Sequence, residues 1–142
     1  MPNWCQNKVT ITGSSKELQK LKNYVKTEAE PFSLNKVIPI PLFDGNKDAL
    51  TDQIHDWKEE NWNTKLDVDS PELVKDDKRK LVYLFSTAYS PCINVLRKLA
   101  LMFPNLSIKI NFMEYLGRIK GTHRFKGEEE KFSYHTNFPS LH

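Results

Sequence analysis

Three groups of side chains in this 142-residue chain have types and spacing suited to chemistry. The first begins on Lys8-Val-Thr-Ile-Thr12, where Val9 and Ile11 alternate with Lys8, Thr10 and Thr12 as in a half-buried strand. If Tyr83 and Phe85, on a later strand, share the face of Lys8 and Thr10, they form a platform on which bases could stack. The opposite phase puts Val82 and Leu84 there instead, and the glycine-containing RNA-binding signature is absent around Lys80–Ser86. The second group is a basic arm, Arg118, Lys120, His123, Arg124 and Lys126, suited to an anionic partner or simply to a wet hairpin surface. The third is the polar-aromatic set Trp62, Lys65 and Tyr89, which could contact another protein.

Reactive constellations are not visible. There is no phosphate-cradling glycine loop, no H-E-x-x-H and no G-x-S-x-G. His55, His123, His135 and His142 share no ligand spacing with a cysteine. Asp44, Asn46 and Asp48 open like a calcium loop, but Ala49 and His55 stand where the glycine and the final glutamate belong. Glu59 and Glu60 are adjacent on a helix and do not face each other. Cys92 sits at a helix start, where the dipole lowers a thiol pKa, yet Cys5 and Cys92 read better as buried small hydrophobes of a reducing compartment. The reading assigns no catalytic residue, metal or cofactor.

The elements that hold these groups centre on residues 80–115. Lys80–Ser86 is apolar on both faces, like a central strand. Pro91 opens a helix whose inward residues are Ile93, Leu96, Leu99, Ala100 and Phe103, and Leu106, Ile108, Ile110 and Phe112 form a second strand. Strand, helix, strand predicts a parallel pair. Upstream, Ser14 and Glu17 form a capping box for a helix with Leu18, Leu21 and Val25 inward, and Trp4 is expected to close one end of the core. Phe32–Ile38 reads as a second strand or extended arm ended by Pro39 and Pro41.

Residues 44–79 carry 11 Asp/Glu against 6 Lys/Arg in a chain of net charge +3. They read as an acidic helical insertion, with one helix over 48–60, a second after Pro71, and packing through Ile54, Trp57, Trp62 and Leu66. Residues 116–142 form a ribbon turned at Gly127 and carrying Phe138. The 142 residues make one α+β domain, a split β-α-β sandwich in which Val9, Leu96 and Ile108 meet in one core. No basic-then-apolar leader and no long apolar run is seen, so a cytoplasmic protein without a membrane partner is expected.

Met1-Pro-Asn-Trp-Cys-Gln-Asn7, Phe32 with Asn35, Pro39-Ile-Pro41, Asn61-Trp62 with Thr64-Lys65 and Asp67, Ser86-Thr-Ala-Tyr-Ser-Pro91 and Phe103-Pro104 recur in one order along the chain. In these points the sequence resembles the YubB-type ferredoxin-like domain family of plasmid and phage proteins. It departs from that pattern at Asn63, Leu66 and Cys92, where the family has Gly, Trp and Pro. The resemblance implies a ferredoxin-like four-stranded sheet with two packing helices, an origin on a mobile element, and no catalytic residues. From origin and absent chemistry, the leading expectation is a non-enzymatic binding protein of the bacterial cytoplasm. Its partner would be a host protein, with inhibition of a defence system such as a CRISPR nuclease as the concrete form. The second expectation is a single-stranded nucleic-acid binder using the open sheet face and the basic ribbon.

Overall fold

The computed structural model describes residues 2–114, 116 and 118–136; the expectations placed on Tyr115, Gly117, Phe138 and His142 fall outside them. The order is β1 (Trp4–Thr12), α1 (Ser15–Val25), α2 (Leu34–Val37), α3 (Lys47–Trp62), β2 (Asp69–Asp76), β3 (Lys80–Ala88), α4 (Ile93–Met102), β4 (Ser107–Glu114), β5 (Ile119–Lys126) and β6 (Glu129–Thr136). The protein is α+β, with one six-stranded sheet in the order β2-β3-β1-β4-β5-β6 and every neighbouring pair antiparallel.

Two expectations about the sheet are corrected. β3 and β4 run in the same direction but do not pair, because β1 lies between them and bonds to both. The sheet has six strands rather than four, because the 116–142 segment continues it: β5 pairs with β4 along Ile108–Met113, and β6 pairs with β5.

Alternation along each strand assigns its faces. Cys5, Asn7, Val9 and Ile11 of β1 are buried, and so are Ile108, Ile110 and Phe112 of β4. α1 covers this face with Leu18, Leu21 and Val25, α2 with Leu34 and Val37, and α4 with Val95, Leu96, Leu99 and Ala100. Val9, Leu96 and Ile108 lie in the same buried cluster. Ser14 Oγ accepts from Glu17 N at 3.3 Å and starts α1, one half of the expected capping box, while the Glu17 carboxylate lies 4.0 Å from Lys20 Nζ. Trp4 is only half-buried and stands outside this cluster, so it does not close the core.

The stretch between α1 and β3 departs from expectation in three places. Phe32–Ile38 is not a strand; its centre is the short helix α2, and Phe32 packs between Tyr83 and Phe85 with ring centroids 5.2 and 5.1 Å away. Residues 69–76 are not a helix but the edge strand β2, where Pro71 is tolerated because an edge position does not require its missing N–H. Leu66 is exposed, so the insertion packs through Trp62, which is buried, and Trp57, which leans on it edge-on at 5.6 Å.

The polar turn after α3 explains much of the recurring sequence pattern. Asn63 ends α3 in the left-handed region at φ 67° and accepts from Asn94 N at 2.8 Å. Trp62 Nε1 donates to Ile38 O at 2.9 Å, and Thr64 Oγ1 donates to Ala88 O at 2.8 Å. The Asp67 carboxylate accepts from Ser33 Oγ (2.8 Å), Leu34 N (2.7 Å) and Val68 N (2.7 Å), capping α2 from a distant part of the chain. Trp62, Asn63, Thr64 and Asp67 thus bind the protein's own chain, while Lys65 between them stays exposed.

Candidate functional site

Each strand that buries one set of side chains must present the other set on the helix-free face. Register gives the rows across that face. Val82, Thr10, Lys109, Arg124 and Lys131 stand opposite one another in one row, and Leu84, Lys8, Asn111, Thr122 and Ser133 in the next. Lys80 beside Thr12 and Lys126 beside Glu129 flank the first row, while Lys120 lies beyond the second. Among the described residues, none of Lys8, Lys80, Lys109, Lys120, Arg124, Lys126 and Lys131 is in an ion pair. Lys109, Arg124 and Lys131 are therefore like charges directly opposite on adjacent strands, an arrangement that costs stability.

Three recesses open on this face among the described residues. One, of about 420 Å³, is lined by Thr10, Thr12, Lys80, Lys109, Arg124 and Lys131 among others. Its neighbour, of about 460 Å³, is lined by Gln6, Lys8, Leu84, Ser86, Asn111 and Met113, with Glu72 at its β2 side. A third, of about 330 Å³, lies over Thr122, Arg124, Lys131 and Ser133 near the β6 edge. The first offers ammonium, guanidinium and hydroxyl donors. The second mixes amide groups with apolar surface.

Tyr83 and Phe85 do not belong here. Tyr83 is fully buried and Phe85 nearly so, on the helix-covered face beside Phe32. β3 is apolar on both sides, so only its register against β1 (Lys8 opposite Leu84, Val9 opposite Tyr83) decides the phase. The proposed Tyr83–Phe85 stacking platform is therefore absent, and the aromatic that shares the phase of Lys8 and Thr10 on β1 is the half-buried Trp4, at the strand's start opposite Ala88. Lys8 and Thr10 are on the open face as expected, joined by Lys120, Arg124 and Lys126 of the basic arm. Lys109 and Lys131 complete the row. Strand alternation marked Lys109 as outward, but its neighbours across the sheet were not readable.

Arg118 leaves the group: its guanidinium donates to the buried Glu114 carboxylate at 3.0 Å and holds that carboxyl below the usual range. His123 is also turned away, onto the helix-covered face. There its Nε2 donates to Glu130 Oε1 at 2.8 Å, and Nδ1 is in hydrogen-bond contact with the Tyr134 hydroxyl. Arg97 of α4 grips the same Glu130 with two bonds of 2.8 and 2.9 Å, tying the β5–β6 ribbon to the helix layer.

Trp62 is buried and unavailable to a partner, whereas Lys65 and Tyr89 are exposed, with Lys65 Nζ 5.9 Å from the Tyr89 ring centre. Tyr89 has φ 68°, which a bulky side chain rarely adopts, and its N–H donates to Asn3 O at 2.8 Å. Both cysteines are buried; burial pushes the Cys5 thiol up to about 12 and raises Cys92 further. Desolvation is the largest cause at both thiols and outweighs the hydrogen bonds that favour the thiolate. Among the described residues, no group of three or more His, Cys, Asp or Glu is placed to hold a metal, and no helix is long and apolar enough to cross a membrane.

No family model and no curated protein matches the chain. Among solved structures, it is similar to the protein api92 from Yersinia pseudotuberculosis, of the family DUF1281. The TM-score is 0.68 over 99% of this chain and 100% of that one, at 9% sequence identity. At that identity the likeness speaks for the shared fold alone.

Proposed function

We propose that the chain is a non-enzymatic binding module, built on a ferredoxin-like split β-α-β core, whose helix-free face takes single-stranded nucleic acid by its phosphates. One observation carries this reading: the row Lys109, Arg124 and Lys131 places unpaired cations opposite one another across three strands. Such a row opposes folding unless an anion lies along it, and phosphates at successive nucleotides supply that anion. The neighbouring recess of Gln6, Lys8, Asn111 and Met113 has amides and apolar surface for base edges. A broad sheet face suits a splayed single strand better than the groove of a duplex. With Tyr83 and Phe85 buried on the other face, affinity rests mainly on charge and tolerates sequence. The YubB-type resemblance supports an origin on a phage or plasmid and, with it, a role in the cytoplasm of a bacterial host.

Fluorescence anisotropy with a short single-stranded oligonucleotide tests this directly. Five phosphate contacts predict log K falling against log salt with a slope of roughly −3.5. Arg124→Glu should weaken binding at least tenfold and flatten the slope. Absent binding, or binding indifferent to salt, overturns the reading.

A host protein as target, the role expected for a defence inhibitor, has a separate observation in its favour. Tyr89 is exposed in a left-handed backbone conformation, beside Lys65 and a recess of about 200 Å³. Recovery of one stoichiometric host protein that Tyr89→Ala loses and Arg124→Glu keeps would favour this second reading over the first.

A further inference from the structure

The two edges of the sheet are built differently. β2 carries Pro71, a left-handed Ser70 at φ 50°, and register shifts between Asp69 and Glu72 and between Leu73 and Lys75. Such features spoil an edge for further pairing. β6 has no proline, and Glu129–Thr136 pair one-to-one with β5 without a shift. Its closing pair, Lys126 and Glu129, flanks a two-residue turn with Gly127 at φ 58°. In a hairpin of this kind the closing pair exchanges both backbone bonds, and the pattern alternates from there. Glu130, Phe132, Tyr134 and Thr136 therefore turn their N–H and C=O groups away from β5. Phe132 and Tyr134 also leave 66% and 43% of their surface exposed, side by side on the helix-bearing face with ring centroids 5.1 Å apart.

We infer that β6 is a docking edge for a second copy of this chain, pairing antiparallel about a two-fold axis through Phe132. The charges select that occupant and that register. About Phe132, Glu129 faces His135 of the second copy, Lys131 faces Ser133, and the two Phe132 side chains meet at the axis. Sliding by two residues in one direction sets Lys131 against its own equivalent; sliding in the other sets Lys131 against His135 and removes the Glu129 contact. A two-fold contact closes on itself, and the irregular β2 edge gives a third copy nothing to extend. This inference stands apart from the nucleic-acid reading, although the second copy's open face would continue the basic track.

Sedimentation of the full chain at micromolar concentration should give twice the 16.6 kDa monomer mass. Phe132→Pro removes an outward N–H together with the ring contacts to His123 and Tyr134 but no β5–β6 backbone bond, so the ladder should persist while the dimer is lost. Phe132→Lys should give the same monomer without restricting the backbone. Phe132→Cys places an exposed thiol on the axis, beyond the buried Cys5 and Cys92. Residues in such a bonded pair have Cα atoms about 5.5 Å apart, within disulfide reach. Mild oxidation should therefore cross-link Phe132→Cys to a covalent dimer and leave Ser133→Cys uncross-linked. A monomeric wild type, a dimer that survives both Phe132→Pro and Phe132→Lys, or faster cross-linking through Ser133→Cys overturns the inference.

Discussion

The same strands make both faces of the sheet, residue by alternate residue, and the two faces are opposites. Beneath α1, α2 and α4 lie Val9, Tyr83, Phe85 and Ile110, closed off from water. On the other side Lys8, Arg124 and Lys131 are exposed and Lys109 half-buried, among them cations facing cations. Packing explains the first face completely. It does not explain the second, where hydroxyls or alternating charges would fold as well or better. The difference separates the part of the molecule that packing accounts for from the part on which the proposed function rests.

That contrast can be broken or sharpened by substitution on either side. The largest effect belongs to the covered face. Phe32→Ala leaves a cavity between Tyr83 and Phe85 and should cost about 3–5 kcal/mol in chemical denaturation, with a lower midpoint. On the bare face, Lys131→Ala should lower oligonucleotide affinity severalfold while leaving the midpoint unchanged or slightly higher, because it removes a repulsion. A loss of stability there would show that the row is structural. Opposite signs for stability and affinity are what the account requires.

A smaller effect comes from the strap joining the ribbon to α4. Hydrogen bonds from Arg97 hold the Glu130 carboxyl below its ordinary value of 4.5. A carboxylate with a depressed folded pKa adds stability above its unfolded pKa, and that stability drains away as pH falls through the folded value. Melting temperature should therefore drop on acidification below about pH 4.5, and Arg97→Gln should shrink the drop. An unchanged acid profile in that variant would remove Glu130 from the account. The smallest effect is at Tyr83, whose buried hydroxyl has no hydrogen-bond partner among the described residues. Tyr83→Phe should be neutral or stabilising by up to about 1 kcal/mol, measured by denaturant midpoint. A clear destabilisation would mean that the hydroxyl has a partner after all.

How far the sequence could be read follows from how local each signal is. α1, α4 and β4 announce themselves because their apolar spacing and the Ser14 cap lie within the element. The hairpin at Gly127 is legible for the same reason. Its attachment to β4 is not, since that depends on pairing Ile108 with Phe125 and Lys109 with Arg124. The two misread elements show non-local control. α2 is one turn of helix capped by Asp67 from across the insertion, and β2 is a short, charged, proline-bearing strand that exists only because β3 offers it an edge. The phase of β3 was unreadable because Leu81, Val82, Tyr83, Leu84 and Phe85 alternate apolar with apolar. The candidate site suffered most from this. It is a row running across strands, and no window along the chain contains Thr10, Lys109, Arg124 and Lys131 together.

The most direct measurement follows backbone amide resonances while a short single-stranded oligonucleotide is added. Shifts concentrated at Lys8, Thr10, Lys109, Arg124 and Lys131, shrinking as salt rises, are the predicted result. Shifts confined to Tyr89, Lys65 and α3, or a spectrum that does not change, would contradict it.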